Sequence, residues 1–281
     1  MMKAKYSKYV IVTGATGFIG CKLIPLLIKR NYNVLAISRN PEKVSNLAWF
    51  KQVKFLKYDL KKKQKKIKFN KNAGLIHLAW EGLPNYKSNF HIKYNLPNSY
   101  KFIKSLIFSG LKKALITGTC AEYGMVSGPI ASKNKTFPFT SYAIAKDKLR
   151  IKLMTLKNKK KYKLQWPRIF FVYDKERQSQ NSLIGKLNIA IDNKQKVFNL
   201  SGGEQVRDYL SVEKVAKSIM DLYESNKTGV KNICSGKPIA VKRLVKNHIK
   251  KRKSNISLNF GYYPYSDIEP MKFWGIPDKK F

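Results

Sequence analysis

Tyr142 and Lys146 stand at i and i+4 in Tyr142-Ala143-Ile144-Ala145-Lys146. On a helix that spacing puts both side chains on one face. An ammonium beside a phenol stabilises the phenolate and lowers its pKa from about 10 toward neutrality. Tyr142 then becomes a usable acid or base for a carbonyl/alcohol pair. In a chain this rich in Tyr and Lys the spacing also arises by chance, so it needs support from other parts of the sequence. Cys21, Cys120 and Cys234 are few and widely spaced; they make neither a metal-ligand cluster nor a disulfide framework.

The second feature is Thr13-Gly14-Ala15-Thr16-Gly17-Phe18-Ile19-Gly20, with glycines spaced G-x-x-G-x-x-G. It follows a β-rich run and opens a helical pattern, the context in which such a loop binds a dinucleotide. One glycine allows the tight turn, one lets backbone approach a pyrophosphate, and one permits close helix–strand packing. The helix N-terminus adds amides and a positive dipole. Gly14, Thr16, Gly17, Phe18, Ile19 and Gly20 are therefore candidate cofactor contacts. Folds that bind NAD place an acid at the end of the second strand for the ribose 2′-hydroxyl. Here that position reads Ala36-Ile37-Ser38-Arg39. Ser38 can bond a 2′-phosphate and Arg39 can pair with it, whereas an acid would repel it. This points to NADP, with NAD as the alternative. Asp59, followed by Leu60 at the end of the third strand, is placed to bond the adenine.

These residues require a scaffold of strands ending at loops. Strands are predicted at Tyr9–Thr13, Asn33–Ser38, Val53–Tyr58, Ala73–Ala79, Lys113–Gly118 and within Lys163–Tyr173. Helices are predicted at Gly17–Arg30, at Asn85–Ser109 with Pro97 as a kink or break, and at Ser141–Lys157. Strands separated by helices imply a parallel, doubly wound α/β sheet of the Rossmann type. Beyond Tyr173 the rhythm is irregular. Helices at Ser182–Asp192, Val212–Glu224 and Ile239–Lys251 alternate with short strands near Val197–Leu200, Val230–Cys234 and Asn255–Asn259. This suggests a smaller α/β substrate lobe.

The chain has 281 residues, 43% of them apolar, which suffices for a substantial core. No apolar run approaches a membrane helix and no secretory leader is evident, so a cytoplasmic protein without a membrane partner is expected. The net charge of +41 would by itself suggest nucleic acid. Its lysines, however, sit in short runs such as 61–66, 157–163 and 250–253 spread over the chain. Arginine, whose planar fork suits nucleic acid, is scarce. Compositional bias is the expected origin, with attraction of polyanionic ligands as the functional remainder.

Upstream of Tyr142 stands Thr117-Gly118-Thr119-Cys120-Ala121-Glu122-Tyr123-Gly124. With the glycine loop and the Tyr142/Lys146 pair, it resembles the extended short-chain dehydrogenases/reductases (the NAD-dependent epimerase/dehydratase family) over nearly the whole chain. That resemblance implies a nucleotide-sugar substrate and makes Thr119 catalytic, bonding the oxygen that becomes carbonyl or alcohol. It places His77-Leu78-Ala79, Trp80 and Asn95 along the cofactor. It assigns Asn181 and Ser182 to a nucleotide-contacting turn and Arg207 to the diphosphate. It divides the chain into residues 1–173 for the dinucleotide, with 204–225 returning to that domain, and 174–281 for the sugar nucleotide. It also allows a homodimer. Two positions depart from the pattern. Tyr173-Asp174 replaces Tyr-Gly, and Trp80 replaces a small residue, either narrowing the pocket or packing on the sheet.

The resemblance leaves several reactions to weigh. Dehydratases of the family carry an acidic pair after the catalytic threonine, where this chain has Cys120 and Ala121. Glu122 is expected to bond the strand end instead. Epimerase–reductases of the GDP-fucose type carry a cysteine at the position of Ala121. Longer stretches are similar to the dTDP-6-deoxy-L-talose 4-dehydrogenase group: 77–80, 82–86, 117–124, 201–205, 233–238 and the tail Tyr263-Pro264-Tyr265…Glu269-Pro270…Phe273-Trp274-Gly275. A 4-ketoreductase in deoxysugar biosynthesis for cell-surface polysaccharide is the expectation, with a 4-epimerase holding NAD as the alternative. A dinucleotide-sensing or RNA-binding regulator would need no Thr119/Tyr142/Lys146 set.

Overall fold

The computed structural model describes residues 8–62, 66–174 and 182–278. The first half runs β1 (Lys8–Thr13), α1 (Gly20–Lys29), β2 (Tyr32–Ser38), β3 (Lys54–Lys57), β4 (Gly74–His77), α2 (Leu96–Phe108), β5 (Lys113–Ile116), β6 (Gly118–Thr119), β7 (Gly128–Ile130) and α3 (Ser141–Leu156). It continues with β8 (Lys163–Ile169), β9 (Phe171–Tyr173), α4 (Leu183–Asp192), β10 (Val197–Asn199), β11 (Val206–Ser211) and α5 (Val212–Glu224). The chain closes with β12 (Gly229–Ile233), β13 (Pro238–Ala240), α6 (Val241–Arg252), β14 (Ser257–Asn259) and β15 (Phe273–Gly275).

The main sheet has the order β12-β8-β5-β4-β1-β2-β3, with β6 pairing β8 beyond β5. Every pairing in it is parallel. Central strands must therefore be apolar on both faces, and β1 shows how. Val10 and Val12 face the layer that holds Leu23 and Leu27 of α1 and Val215 and Ile219 of α5. Ile11, pointing the other way, joins Phe102 and Leu106 of α2 and Leu149 and Leu153 of α3. The expected doubly wound α/β sheet is what the chain forms.

The sequence pattern predicts no strand at β7, β11, β13 or β15, and two expected elements are placed differently. The helix expected from Asn85 begins later, as a wide π-turn at His91–Asn95 leading into α2. Pro97 has no N–H to donate, so it sits in the first turn of α2, and the chain reaches it through the widened turn. The segment before it is a loop, with bonds from Asn85 N to Gly82 O and from Tyr86 N to Pro84 O. Secondly, β12, expected among the short strands of the second lobe, pairs with β8 as an edge of the main sheet. Its buried Ile233 joins the core beside α1 and α5, which makes that edge the place where it loses most water contact.

The chain leaves the main sheet after Ile169. From there β9 pairs with β11, and β11 with β13, in a separate three-stranded sheet. A further core of Ile184, Leu187, Phe198, Leu200, Val245 and Ile256 ties α4, α6, β10 and β14 together. Between this region and the C-terminal ends of the main strands lies the site.

Candidate active site

One cavity of about 1180 Å³ is lined by the candidate residues named above except two: Asn181 lies outside the described residues, and His77, expected along the cofactor, is buried in β4 with its Nδ1 2.8 Å from Thr13 Oγ1. It opens where strands of the main sheet end, as in other open α/β sheets. At its base the glycine loop turns with Gly14 at φ +69°. A side chain there would bring a Cβ within 2.8 Å of Ala79 N, and one at Gly20 would sit 2.3 Å from Gly14 O. The loop is thus closed tightly against α1 and against the end of β4, leaving bare backbone at the cavity. That glycine cradle fits a dinucleotide.

The residues after β2, β3 and β4 converge at one rim. Ser38 Oγ lies 2.9 Å from Thr16 Oγ1, which joins the β2 end to the glycine loop. Arg39 Nη1 donates to Glu81 Oε1 at 2.9 Å, and Lys61 Nζ lies 3.1 Å from Glu81 Oε2. Both cations hold the Glu81 carboxyl below its ordinary pKa, against a burial effect that would raise it. Asp59 accepts a bond from Lys61 N at 3.0 Å, so it shapes the turn that presents Lys61. Asn95 Nδ2 donates to Glu81 O at 2.8 Å, pinning the backbone of this rim from the α2 side. Glu81 and Lys61 were not candidates, because nothing local in the sequence marks either residue.

Farther in, α3 carries Tyr142 and Lys146. Thr140 caps it, its hydroxyl accepting from Ala143 N at 3.2 Å, and this fixes where the first turn starts. Tyr142 N donates to Tyr86 O at 3.0 Å, anchoring the loop before α2 to the same helix. Thr119 and Tyr142 line the same cavity, and the Thr119 hydroxyl accepts from Ala121 N at 3.3 Å. The ammonium of Lys146 is 2% exposed and donates to Thr117 O at 2.8 Å. It also sits over the Trp80 ring, 4.0 Å from the centroid. Burial pulls its pKa down to about 7, with Glu122 opposing.

The expectation that Lys146 draws the Tyr142 phenol toward neutrality is corrected here. Burial pushes that phenol well above its ordinary value, while Thr119 pulls it back only in part. The reason is placement: the ammonium faces Thr117 O and the indole, and its own charge is desolvated. Trp80 therefore does more than fill space. Its edge lies against Tyr142, with centroids 6.0 Å apart, and its Nε1 donates to His91 Nδ1 at 3.2 Å. His91 Nε2 contacts Asn85 O at 2.8 Å, and Asn95 Nδ2 contacts His91 Nδ1 at 3.1 Å. Two donors on Nδ1 require the neutral tautomer protonated on Nε2, in keeping with a pKa lowered by burial.

Glu122 behaves as expected of a strand-end partner. It is fully buried and accepts from Thr119 N at 2.9 Å, Trp166 Nε1 at 3.0 Å and Arg168 Nε at 2.7 Å. Arg207 is placed on the cavity wall but is already engaged. Its Nε and Nη2 donate to Glu269 Oε2 at 3.2 and 3.0 Å, and Nη1 donates to Val206 O at 3.0 Å. Ser182 caps α4 by accepting from Gly185 N at 3.0 Å. The aromatic tail contributes Tyr263, Pro264 and Glu269 to the wall, so it belongs to the site. The described residues contain no group of His, Cys, Asp and Glu that could hold a metal. No helix among them is long and apolar enough to cross a membrane.

Comparison with known proteins agrees with this geometry. A curated relative, dTDP-6-deoxy-L-talose 4-dehydrogenase (NAD(+)) of Aggregatibacter actinomycetemcomitans, is 28% identical over 268 residues, covering 95% of this chain and 98% of its own length. A dTDP-4-dehydro-6-deoxyglucose reductase of Escherichia coli is 25% identical over 251 residues, covering 84% of this chain and 79% of the reductase. Among solved structures, a UDP-N-acetylglucosamine 4-epimerase from Methanobrevibacter ruminantium M1 superposes with a TM-score of 0.83. At 24% identity, over 96% of this chain and 90% of the epimerase, that likeness establishes the fold. The model of the NAD dependent epimerase/dehydratase family matches residues 10–234, from β1 to the end of β12. A glycine loop between β1 and α1, a Tyr/Lys pair facing the same cavity and a family match across most of the sequence lead to one assignment: the chain belongs to the NAD dependent epimerase/dehydratase family.

Proposed function

We propose that the protein is an NADP-dependent 4-ketoreductase acting on a nucleotide-activated 6-deoxysugar, of the dTDP-6-deoxy-L-talose 4-dehydrogenase type. One observation carries the choice of reaction. Thr119, Tyr142 and Lys146 meet at the cavity, while the nearest acid on the strand end, Glu122, is consumed by Thr119 N, Trp166 and Arg168. Hydride transfer needs a proton donor and an orienting bond; elimination of water needs a further free acid beside them. Curated relatives named for 4-dehydrogenase and 4-keto-reductase activity on dTDP sugars support the substrate class. The preference for NADP rests on Ser38, Arg39 and Lys61 of this chain, although the Aggregatibacter relative carries NAD(+) in its name.

A bound nicotinamide supplies or takes the hydride at the sugar carbon. Tyr142, held neutral by burial, donates its proton to the oxygen as negative charge develops there. Thr119, whose hydroxyl lines the same cavity, orients that oxygen. Lys146, its Nζ donating to Thr117 O and lying over the Trp80 ring, can bond a ribose hydroxyl. Arg207 would grip the diphosphate of the substrate by exchanging Glu269 for phosphate oxygens. The same three inner residues also suffice for a 4-epimerase, which is why the test must separate the two.

That test supplies dTDP-4-keto-6-deoxy sugars with NADPH and identifies the sugar product. Stoichiometric loss of NADPH with a C4 alcohol as product supports the reductase. Interconversion of C4 epimers without net cofactor consumption would establish the epimerase instead. Release of water from a sugar with no 4-keto group would overturn the reading of Glu122.

A further inference from the structure

The Arg39–Glu81–Lys61 arrangement has a consequence for cofactor choice that rests on reading this cavity as a dinucleotide site. Three strand ends bring these residues together: Arg39 follows β2, Lys61 follows β3 and Glu81 follows β4. Each carboxylate oxygen of Glu81 takes one cation, Oε1 from Arg39 at 2.9 Å and Oε2 from Lys61 at 3.1 Å. Ser38, whose Oγ also accepts from Asn40 N at 3.2 Å, lies at the same corner. A carboxylate bridging two cations occupies them much as a phosphate would, with two acceptor oxygens spread between two donors.

We propose that Glu81 is an exchangeable counter-ion that sets cofactor specificity. With a bare 2′-hydroxyl present, Glu81 stays between Arg39 and Lys61 and keeps two like charges from facing each other unpaired. With a 2′-phosphate present, the phosphate takes both cations and the Glu81 side chain turns outward. Its side chain is 37% exposed, and its backbone is held by Asn95, so the exchange moves one side chain and leaves the rim in place. A 2′-phosphate carries nearly two negative charges. It therefore gains from the two cations but meets the repulsion of the carboxylate it displaces. The balance leaves NADP(H) preferred but NAD(H) still accepted, and Glu81 is what restrains the preference for the phosphorylated form.

The experiment measures dissociation constants of NAD+ and NADP+ by calorimetry at one fixed salt concentration, for the parent protein, Glu81→Gln and Lys61→Gln. The quantity read is the ratio of the two constants. Glu81→Gln should shift it toward NADP+ by about tenfold, because the amide neither repels phosphate nor neutralises the cations. Lys61→Gln should shift it severalfold the other way. Both side chains lie on the solvent-facing rim, and thermal midpoints check that each variant remains folded. A ratio unchanged in Glu81→Gln, or moved toward NAD+, while the parent binds a dinucleotide, would reduce this trio to a surface ion pair and overturn the inference alone. A Lys61→Gln ratio that fails to move toward NAD+ would do the same. If the parent binds neither dinucleotide, the cavity reading itself falls, and the inference with it.

Discussion

At the scale of single residues the site is a set of charges whose values are decided by burial. Tyr142→Phe keeps the ring and removes the transferable proton; turnover should fall by ~10²-fold or more while cofactor and substrate still bind. Thr119→Val should cost less, since it removes one orienting bond, and steady-state kinetics beside calorimetric binding would separate the two effects. Arg39→Ala should weaken NADPH by about tenfold and NADH much less, through loss of a charge-assisted bond to the 2′-phosphate. Equal losses for both cofactors in binding titrations would contradict that role. Lys146 offers a test of electrostatics without ligand. Its folded pKa of about 7 lies below the ordinary 10.5, so between these values the unfolded chain binds more protons than the folded one. Stability from this group therefore rises with pH through that window, and is lowest where buried Lys146 carries its full charge. Lys146→Met removes the effect. The variant's thermal stability relative to the parent should be most favourable near pH 7 and should decline toward pH 10. A pH-independent difference between the two melting curves would show that Lys146 is not held neutral by burial.

At the scale of elements, a few buried polar groups decide how strands and helices are joined. Glu122 connects the end of β6 to β8 through Thr119 N, Trp166 and Arg168, and Arg150 of α3 lies 3.9 Å from the same carboxylate. Glu122→Gln keeps the shape but leaves the 2%-exposed Arg168 with only the more distant Asp147 carboxylate, at 4.0 Å, as counter-charge. Breaking one partner of such a pair typically costs ~3–5 kcal/mol, which urea unfolding would register as a lowered midpoint with an unchanged slope. The junction of β1 and α1 is limited by space. At Gly20 an added Cβ would fall within 2.3 Å of Gly14 O, so Gly20→Ala must move either the loop or the helix. Loss of dinucleotide binding with the secondary structure retained is the expected result, seen by titration beside circular dichroism. The glycine spacing, the strand–helix alternation and the helix bearing Tyr142 were all legible beforehand, since each follows from backbone periodicity within a short window. The late start of α2 was not, because the pattern of apolar residues does not report how the chain approaches Pro97. Nor was the return of β12 to the main sheet, which depends on an edge left open by strands far away in sequence.

At the scale of the whole molecule the net charge of +41 is the dominant physical property. Within 157–163, the run at the end of α3, no residue lines the cavity, whereas Lys61 of another run does. Replacing Lys157, Lys159, Lys160 and Lys161 by Gln should therefore leave the NADPH dissociation constant and turnover within about twofold at physiological salt, where the Debye length is about 8 Å. Association should slow measurably only at low ionic strength, where the summed field steers anions. A large loss at physiological salt in stopped-flow and steady-state measurements would mean that distant lysines act directly on the ligand.

By itself the sequence determined the parts that depend on neighbours within a few positions. Gly14 to Gly20 form a loop because of their spacing, Tyr142 and Lys146 share a face because a helix turns every 3.6 residues, and buried strands alternate because each must cover two layers. Only the tertiary structure decided the partners. Glu81 meets Arg39 and Lys61 because three parallel strands end at one level, and Glu269 reaches Arg207 because the tail folds back along the β11 edge. Trp80 and His91 enclose Lys146 and Tyr142 because the loop before α2 closes over α3. Proton affinities belong to this second class as well. The spacing of Tyr142 and Lys146 argued for a lowered phenol pKa, but desolvation is a property of everything packed around a group, and here burial sets the direction while the ammonium faces Thr117 O.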